Sequence, residues 1–298
     1  MEGKQRALTV SERMPRDAWD SHMHVVDPTA YPLSANALYK PNQHTFEDAM
    51  NFENSVGVEN IVIVQPSIYG YDNSCMLDAM RTLGPKRARG VVSFNPTETS
   101  LSTLQDWHQL GVRGVRINLQ SVGKIMGQAE LETVMKLYAE AVRPLDWVIQ
   151  VYLPMHMIPL LERIVPQLGL RICIDHIGRL AFPGQEAYQR NKDPYSLPEF
   201  QSLVRLLKGG QTFVKLSAPY RISKSQDDWE ELRPIAQEIL KVAGESRVVF
   251  ATDWPHTRFE GLDIRPWIEL LLELCEKKEY LKERLFRGNA QDLWGVQI

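Results

Sequence analysis

The sequence predicts an α/β fold, a single (β/α)8 barrel of the TIM type, from three observations. Short runs rich in β-branched residues recur along the chain, segments with apolar residues at helical spacing separate them, and no linker or change of composition divides the 298 residues. Barrels of this type commonly need about 250 residues or more. We therefore expect one domain over residues 1–298, with residues 1–17 as an N-terminal extension.

Eight segments have the pattern of buried parallel strands. Residues 61–64 and 248–250 are continuous apolar runs, as expected for strands that are covered on both faces by helices or by the barrel interior. Strict alternation of apolar and polar residues is rare. The predicted strands are 19–25, 60–65, 89–95, 112–118, 147–152, 171–177, 212–218 and 247–253.

Helical patterns occur between most of these strands. Thr45 and Asp48 resemble a capping box at the start of the first helix. A doubly wound open sheet is the alternative fold, but no GxGxxG motif follows the first strand and no phosphate-binding loop motif occurs. The predicted helical segments are 45–56, 101–110, 130–143, 156–168, 197–208, 228–243 and 264–277.

Composition excludes several classes of partner. The formal net charge is −3 and there is no basic run, which argues against nucleic acid. Cys75, Cys173 and Cys275 are too few and too scattered for a disulfide framework or a CxxC zinc site. No stretch reaches the roughly 18 apolar residues of a membrane span. We expect a cytoplasmic protein without a membrane partner, either a monomer or a homo-oligomer.

Polar residues follow several of the predicted strands, at the barrel end where active sites of this fold are built. His22 and His24 are two residues apart on the first strand, so both should face the same side. His176 ends the sixth strand and Asp253 the eighth. These four residues are the candidate catalytic group, although each histidine taken alone could be a hydrogen-bonded core residue.

Two kinds of chemistry suit three histidines and one aspartate. They could bind a single divalent metal such as zinc and leave one position open for water. They could equally work without metal, with Asp253 as the general base for water and the histidines polarising a carbonyl group. Nucleophilic catalysis is less favoured, because no GxSxG motif occurs and no cysteine has a reason to be a thiolate.

Arginines near the predicted barrel mouth indicate an anionic small-molecule substrate. Arg116 and Arg221 lie at the ends of the fourth strand and just after the seventh, and their planar donors suit a carboxylate. Arg179 could serve the same purpose or form a structural salt bridge. The other candidate substrate contacts are Ser67, Tyr69, Tyr152 and His256.

An ordered set of motifs is similar to a known family. WDSHMHVVDP, QPSIYG, GVRGVRIN, IDHIGR, KLSAPYRIS, ATDWPH and FRGNAQDLWG follow one another along nearly the whole chain. The sequence resembles the amidohydrolase-2 group of the amidohydrolase superfamily, and within it 2-pyrone-4,6-dicarboxylate lactonase and related lactonases. The resemblance implies hydrolysis of a lactone, with Asp253 activating water and His22, His24 and His176 around the ester carbonyl.

The resemblance also bears on cofactors. It implies that no metal is required. A two-metal centre is not expected, because Tyr152 stands where the two-metal members have a histidine and the fourth strand offers no bridging Lys or Glu. A single zinc bound by His22, His24, His176 and Asp253 is the alternative.

The implied substrate is a carboxylated pyrone, a muconolactone or a similar small acid. Residues 117–126 contain only Lys124 as a cation, where the lactonases have a second substrate arginine, which favours a monocarboxylated or bulkier lactone. Two other functions stay open, a zinc-dependent decarboxylase of an aromatic or unsaturated acid and a ligand-binding barrel without catalysis.

Overall fold

The structure is a computed structural model and describes residues 6, 8–180, 186–223, 225 and 228–296. Eight parallel strands follow one another around a single sheet in sequence order. The first and last strands meet through a parallel bridge between Met23 and Trp254, so the sheet is a nearly closed barrel. The strands are β1 (Trp19–Met23), β2 (Asn60–Val64), β3 (Ala88–Val92), β4 (Val112–Asn118), β5 (Val148–Tyr152), β6 (Ile172–Ile174), β7 (Thr212–Leu216) and β8 (Val248–Phe250).

Helices lie between successive strands, and this confirms the predicted barrel. A five-residue π-helical turn, Arg284–Gly288, precedes the last helix. The helices are α1 (Val10–Arg13), α2 (Phe46–Val56), α3 (Ser74–Leu83), α4 (Leu101–Leu110), α5 (Gln128–Val142), α6 (Ile158–Leu168), α7 (Glu186–Asn191), α8 (Phe200–Lys208), α9 (Arg233–Ala243), α10 (Arg265–Cys275), α11 (Glu279–Glu283) and α12 (Asn289–Leu293).

The seven predicted helical segments all correspond to helices, and the capping box at Thr45 and Asp48 is present with both of its hydrogen bonds. The sequence prediction missed α3, although Met76 and Met80 are buried at helical spacing. It also missed α7 and the short helices at the two ends of the chain. Among the described residues, no helix is long and apolar enough to cross a membrane.

The barrel interior is apolar at the bottom and polar above. Val148 and Phe213 belong to an apolar inner cluster that also contains Trp294, the residue directly after α12. Successive inward positions of β5 then change character, from Val148 to Gln150, which is hydrogen-bonded within the interior, and then to Tyr152 at the mouth. The apolar layers therefore support a polar layer, and that layer supports the site.

The seam between β1 and β8 is held by a buried carboxylate. Oδ1 of Asp20 accepts hydrogen bonds from the backbone N–H of His22 (2.8 Å) and of Thr252 (3.0 Å). The pairing of β1 with β2 shifts register between Asp20 and Met23. Because of this irregularity, Ser21 contacts the interior Trp294 while the adjacent His22 also reaches the interior, which strict alternation does not predict.

Candidate active site

Four of the predicted residues converge at the carboxyl end of the barrel. The Nε2 atoms of His22 and His24 are 3.3 Å apart. Oδ1 of Asp253 lies 3.6 Å from Nε2 of His22, 3.5 Å from Nε2 of His24 and 3.8 Å from Nε2 of His176. All four side chains are buried. Three imidazole nitrogens and one carboxylate oxygen thus surround a common point.

In two of these histidines, Nδ1 has a polar contact of its own. Nδ1 of His24 lies 2.7 Å from the carbonyl oxygen of Val64, and a carbonyl only accepts, so Nδ1 carries a proton and the neutral ring presents a lone pair at Nε2. Nδ1 of His176 lies 2.8 Å from the hydroxyl of Ser217. Such contacts orient the rings and direct their Nε2 atoms towards the shared point.

The two oxygens of Asp253 have different surroundings. Oδ2 accepts hydrogen bonds from the hydroxyl of Tyr220 (2.6 Å) and from Nε of Arg221 (2.8 Å). Oδ1 is buried and has no hydrogen-bond donor among the described residues. Burial raises the pKa of Asp253, but Arg221 and the nearby histidines outweigh burial and hold this pKa well below its usual range. Asp253 is therefore an ionised carboxylate, and the described residues leave one of its oxygens without a hydrogen bond.

A layer of buried charges lies beneath the histidines. Oδ1 of Asp175 is 3.2 Å from Nδ1 of His22 and 3.1 Å from the ammonium group of Lys215. Oδ2 of Asp175 accepts a hydrogen bond from Gln150 (2.9 Å) and lies 3.5 Å from Nη2 of Arg116. Lys215 also donates to Gln150 Oε1 (2.6 Å). This network fixes the position of His22.

Burial keeps two of the imidazoles neutral. It lowers the pKa of His22 well below the ordinary value, and the nearby Lys215 ammonium lowers it further. Burial also lowers the pKa of His176 to about 4. Burial raises the pKa of Asp175, but Lys215 and His22 outweigh burial and hold this pKa well below its usual range. At neutral pH the site therefore contains ionised Asp175 and Asp253 beside uncharged His22 and His176.

A cavity of about 100 Å³ opens above the convergence point. His24, His176 and Asp253 form part of its wall, and Arg258 lines it with its guanidinium carbon 4.1 Å from the centre of the Tyr39 ring. Five of the predicted substrate contacts also line it, namely Ser67, Arg116, Tyr152, Arg179 and Arg221.

Several of these groups already have partners. Nη1 of Arg116 donates to the carbonyl of Gln65 (3.0 Å), and its Nε is buried without a partner in the part of the chain that the structure describes. Arg179 donates through Nη1 to the backbone carbonyl of Arg221, and it forms no salt bridge with any carboxylate among the described residues. Only part of each guanidinium is left for a substrate.

The two remaining predicted contacts are not among the residues that line this cavity. The hydroxyl of Tyr69 accepts a hydrogen bond from the backbone N–H of Asp27 (2.9 Å). His256 packs edge-on against Tyr220 with 5.5 Å between ring centroids, and burial lowers its pKa to about 4. Both side chains support loops around the mouth.

Comparison with known proteins identifies the family. The model of a protein family described as Amidohydrolase matches residues 19–296, which is nearly the whole chain. The chain belongs to the amidohydrolase family. It acts as a hydrolase, and the predicted family resemblance is confirmed.

The relatives of this chain include two enzymes that are named as hydrolases of lactones. The 4-sulfomuconolactone hydrolase of Hydrogenophaga intermedia is 31% identical over 95% of this chain and 90% of its own. The 2-pyrone-4,6-dicarboxylate hydrolase of Comamonas testosteroni is 27% identical over 89% of this chain and 88% of its own. A Pseudomonas putida structure, provisionally assigned as a 2-pyrone-4,6-dicarboxylic acid hydrolase, has 29% identity and a TM-score of 0.77, covering 95% of this chain and 98% of its own.

Amidohydrolases can hold metals, and the residues of this site fit one divalent cation. His22, His24 and Asp253 present ligand atoms within 4.8 Å of one another. A metal-free arrangement could place one proton between Nε2 of His22 and Nε2 of His24, but it would leave Oδ1 of Asp253 buried and unpaired. A cation would satisfy all of these atoms. A second group of His22, Asp175 and His176 fits less well, because Lys215 and Arg116 already neutralise Asp175.

Sequence reasoning missed several residues of the site. Asp175, Lys215 and Gln150 form the buried layer, Ser217 orients His176, and Tyr220 holds Asp253. The signal for Lys215 was its place in the mostly apolar strand TFVKL. A lysine is buried in such a strand only when it has partners. Asp175 similarly ends an apolar run directly before His176.

Proposed function

We propose that the protein hydrolyses a small lactone that carries a carboxylate. The observation that carries the proposal is Asp253 itself, whose Oδ2 is held by Tyr220 and Arg221 while its buried Oδ1 has no donor among the described residues. A carboxylate held in this way is suited to accept a proton from water beside a carbonyl. Two named relatives that open lactones support the substrate class.

The reaction follows from the positions of the side chains. Water adds to the lactone carbonyl carbon, and Asp253 accepts the proton that the water loses. The ring C–O bond then breaks, and the same proton returns to the departing alkoxide, so that a hydroxy acid forms. Arg221 and Tyr220 keep Asp253 oriented through both transfers. In the metal-free scheme His176, which lines the cavity, orients the carbonyl through Nε2 while its Nδ1 contacts the hydroxyl of Ser217. With a cation bound, the Nε2 atoms of His24 and His176 would be ligands instead.

The carboxylate of the substrate would bind at the mouth. Arg116, Arg179, Arg221 and Arg258 all line the same small cavity. Four guanidinium groups around a space of about 100 Å³ favour an anion over a neutral ring. Tyr152 and Ser67 would contribute hydrogen bonds to the lactone ring.

The ligand geometry favours the single-cation alternative over the expected metal-free site. His22, His24, His176 and Asp253 would hold the ion, and zinc suits a set of three imidazoles and one carboxylate. A bound cation of this kind would polarise a carbonyl group and lower the pKa of water, and Oδ1 of Asp253 would then be a ligand instead of the free base of the metal-free scheme. The requirement for metal remains a proposal that metal analysis decides.

Proton release tests the proposed reaction, because ring opening creates one new acid. A panel of muconolactones, pyrone carboxylates and neutral lactones should acidify a weakly buffered solution only in the presence of the enzyme. Asp253→Asn should abolish acidification without changing the circular dichroism spectrum, whereas Asp106→Asn on the exposed surface of α4 should behave like the parent. If the panel yields no acid while an unsaturated acid releases carbon dioxide, the decarboxylase alternative replaces this proposal.

A further inference from the structure

A second cavity, of about 400 Å³, lies beside the active site. It is bordered by the loop after β2, by the loop between β4 and α5, and by α5 itself. Ser67 and Arg116 line both this space and the catalytic cavity. A ligand bound at the catalytic residues could therefore extend into the second space, which we call the side cavity.

The walls of the side cavity are mostly apolar. Met126 and Tyr138 are buried in its wall, and Val134 is half-buried. Val122 and Leu137, which also line it, remain 49% and 39% exposed. Large apolar side chains grouped around a concavity are unfavourable in water and are typical of a surface that a ligand covers.

The charges of the side cavity argue against a second anionic group in this space, because Arg116 is shared with the catalytic cavity and the other lining cation is already paired. Lys124 is the cation of residues 117–126, and its ammonium group pairs with the carboxylate of Glu130 at 3.3 Å. About half of each of these side chains is exposed. A carboxylate entering the side cavity would compete with Glu130 and would leave water for an apolar wall. An uncharged group avoids both costs.

A polar atom at the entrance offers a contact to such an uncharged group. Asn118 lines the side cavity, and its Oδ1 accepts a hydrogen bond from the backbone N–H of Ser121 (2.9 Å). Its Nδ2 is buried and has no partner among the residues that the structure describes. This amide could donate to an ether or carbonyl oxygen between the lactone ring and an apolar substituent.

We propose that the side cavity binds an apolar substituent of the substrate, an alkyl or aryl group of about four to six carbons. The preferred substrate would then be a lactone with one carboxylate, held in the arginine-lined cavity, and an apolar arm that passes Arg116. This inference rests on the proposed lactone hydrolysis and names the class of lactone.

The test compares carboxylated lactones that differ only in an alkyl arm, from methyl to pentyl. We expect kcat/KM of the parent enzyme to rise roughly two- to fourfold with each methylene buried. Leu137→Lys places a charge in the cavity wall on an exposed helix position, so the pentyl-to-methyl ratio should fall to near one. Leu101→Lys changes a leucine of similar exposure on α4 and should keep the parent ratio.

A flat chain-length profile in the parent, or a preference for a carboxylate at the end of the arm, would overturn the proposal. The side cavity can still be tested if no lactone is hydrolysed. In that case, calorimetry with the alkanoates from butanoate to octanoate measures the same dependence on chain length. Tightening with length in the parent but not in Leu137→Lys would support the side cavity while lactone hydrolysis fails, and equal affinities would reject the side cavity as well.

Discussion

Replacing Arg221 with Met tests whether this residue holds the catalytic carboxylate or only binds substrate. Its Nε donates to Oδ2 of Asp253 at 2.8 Å, and the two side chains are 16% and 1% exposed. Loss of a hydrogen bond to a charged group costs about 1.5–3 kcal/mol, and an uncompensated buried charge costs about 3–5 kcal/mol. Because Tyr220 still donates to Oδ2, we expect the activation free energy of hydrolysis to rise by about 2–4 kcal/mol.

That loss corresponds to roughly 30- to 1000-fold in kcat. Steady-state kinetics on the best lactone of the panel would measure it, with thermal unfolding to confirm that the variant folds. The matched control is Arg258→Met, because Arg258 lines the same cavity but stacks on Tyr39. The control should raise KM and leave kcat nearly unchanged. A kcat in Arg221→Met within about threefold of the parent would refute the reasoning.

Three further predictions concern metal and stability. Dialysis against a chelator should remove one equivalent of zinc together with activity, and metal analysis that finds no bound metal in the active enzyme would return the site to the metal-free scheme. Lys215→Met should lower the free energy of unfolding by about 3–5 kcal/mol in urea titrations, because it strips a buried cation from Asp175, and adding Asp175→Asn should recover part of the loss. Burial and the adjacent Asp20 carboxylate raise the pKa of Glu53 well above its ordinary 4.5, so the folded protein keeps a proton that the unfolded chain releases. Stability from this group is complete below pH 4.5 and falls as pH rises towards the folded pKa, by about 1.4 kcal/mol per pH unit. Glu53→Gln should flatten that fall above pH 4.5, whereas the exposed Glu47→Gln should not.

The fold was predictable because its signals are local. Each strand of the barrel is buried on both faces and therefore reads as an apolar run, as in residues 61–64. The ends of the strands were less predictable. The sixth and eighth strands were predicted as 171–177 and 247–253, but the structure has Ile172–Ile174 and Val248–Phe250. The polar residues that follow belong to loops, where they can turn into the site.

The candidate site was predictable where residues stand alone and unpredictable where they depend on partners. His176 and Asp253 follow apolar strands and His24 follows the mixed strand β1, so barrel topology brings the three together at the carboxyl end. The partner of each group comes from another strand, as Ser217 does for His176, and no local pattern encodes that pairing. The role of Arg116 shows the same limit, because its contacts with Gln65 and Asp175 are visible only in three dimensions.

The charge of the site also differs from that of the chain. The net charge of −3 predicts nothing about the barrel mouth. Within the part of the chain that the structure describes, Lys215, Arg116 and Arg221 contact the two site carboxylates, Asp175 and Asp253, which leaves an excess of one positive charge. Arg179 and Arg258 add two more at the cavity wall. A cleft of one sign attracts ligands of the opposite sign, so an acidic protein can still favour an anionic substrate.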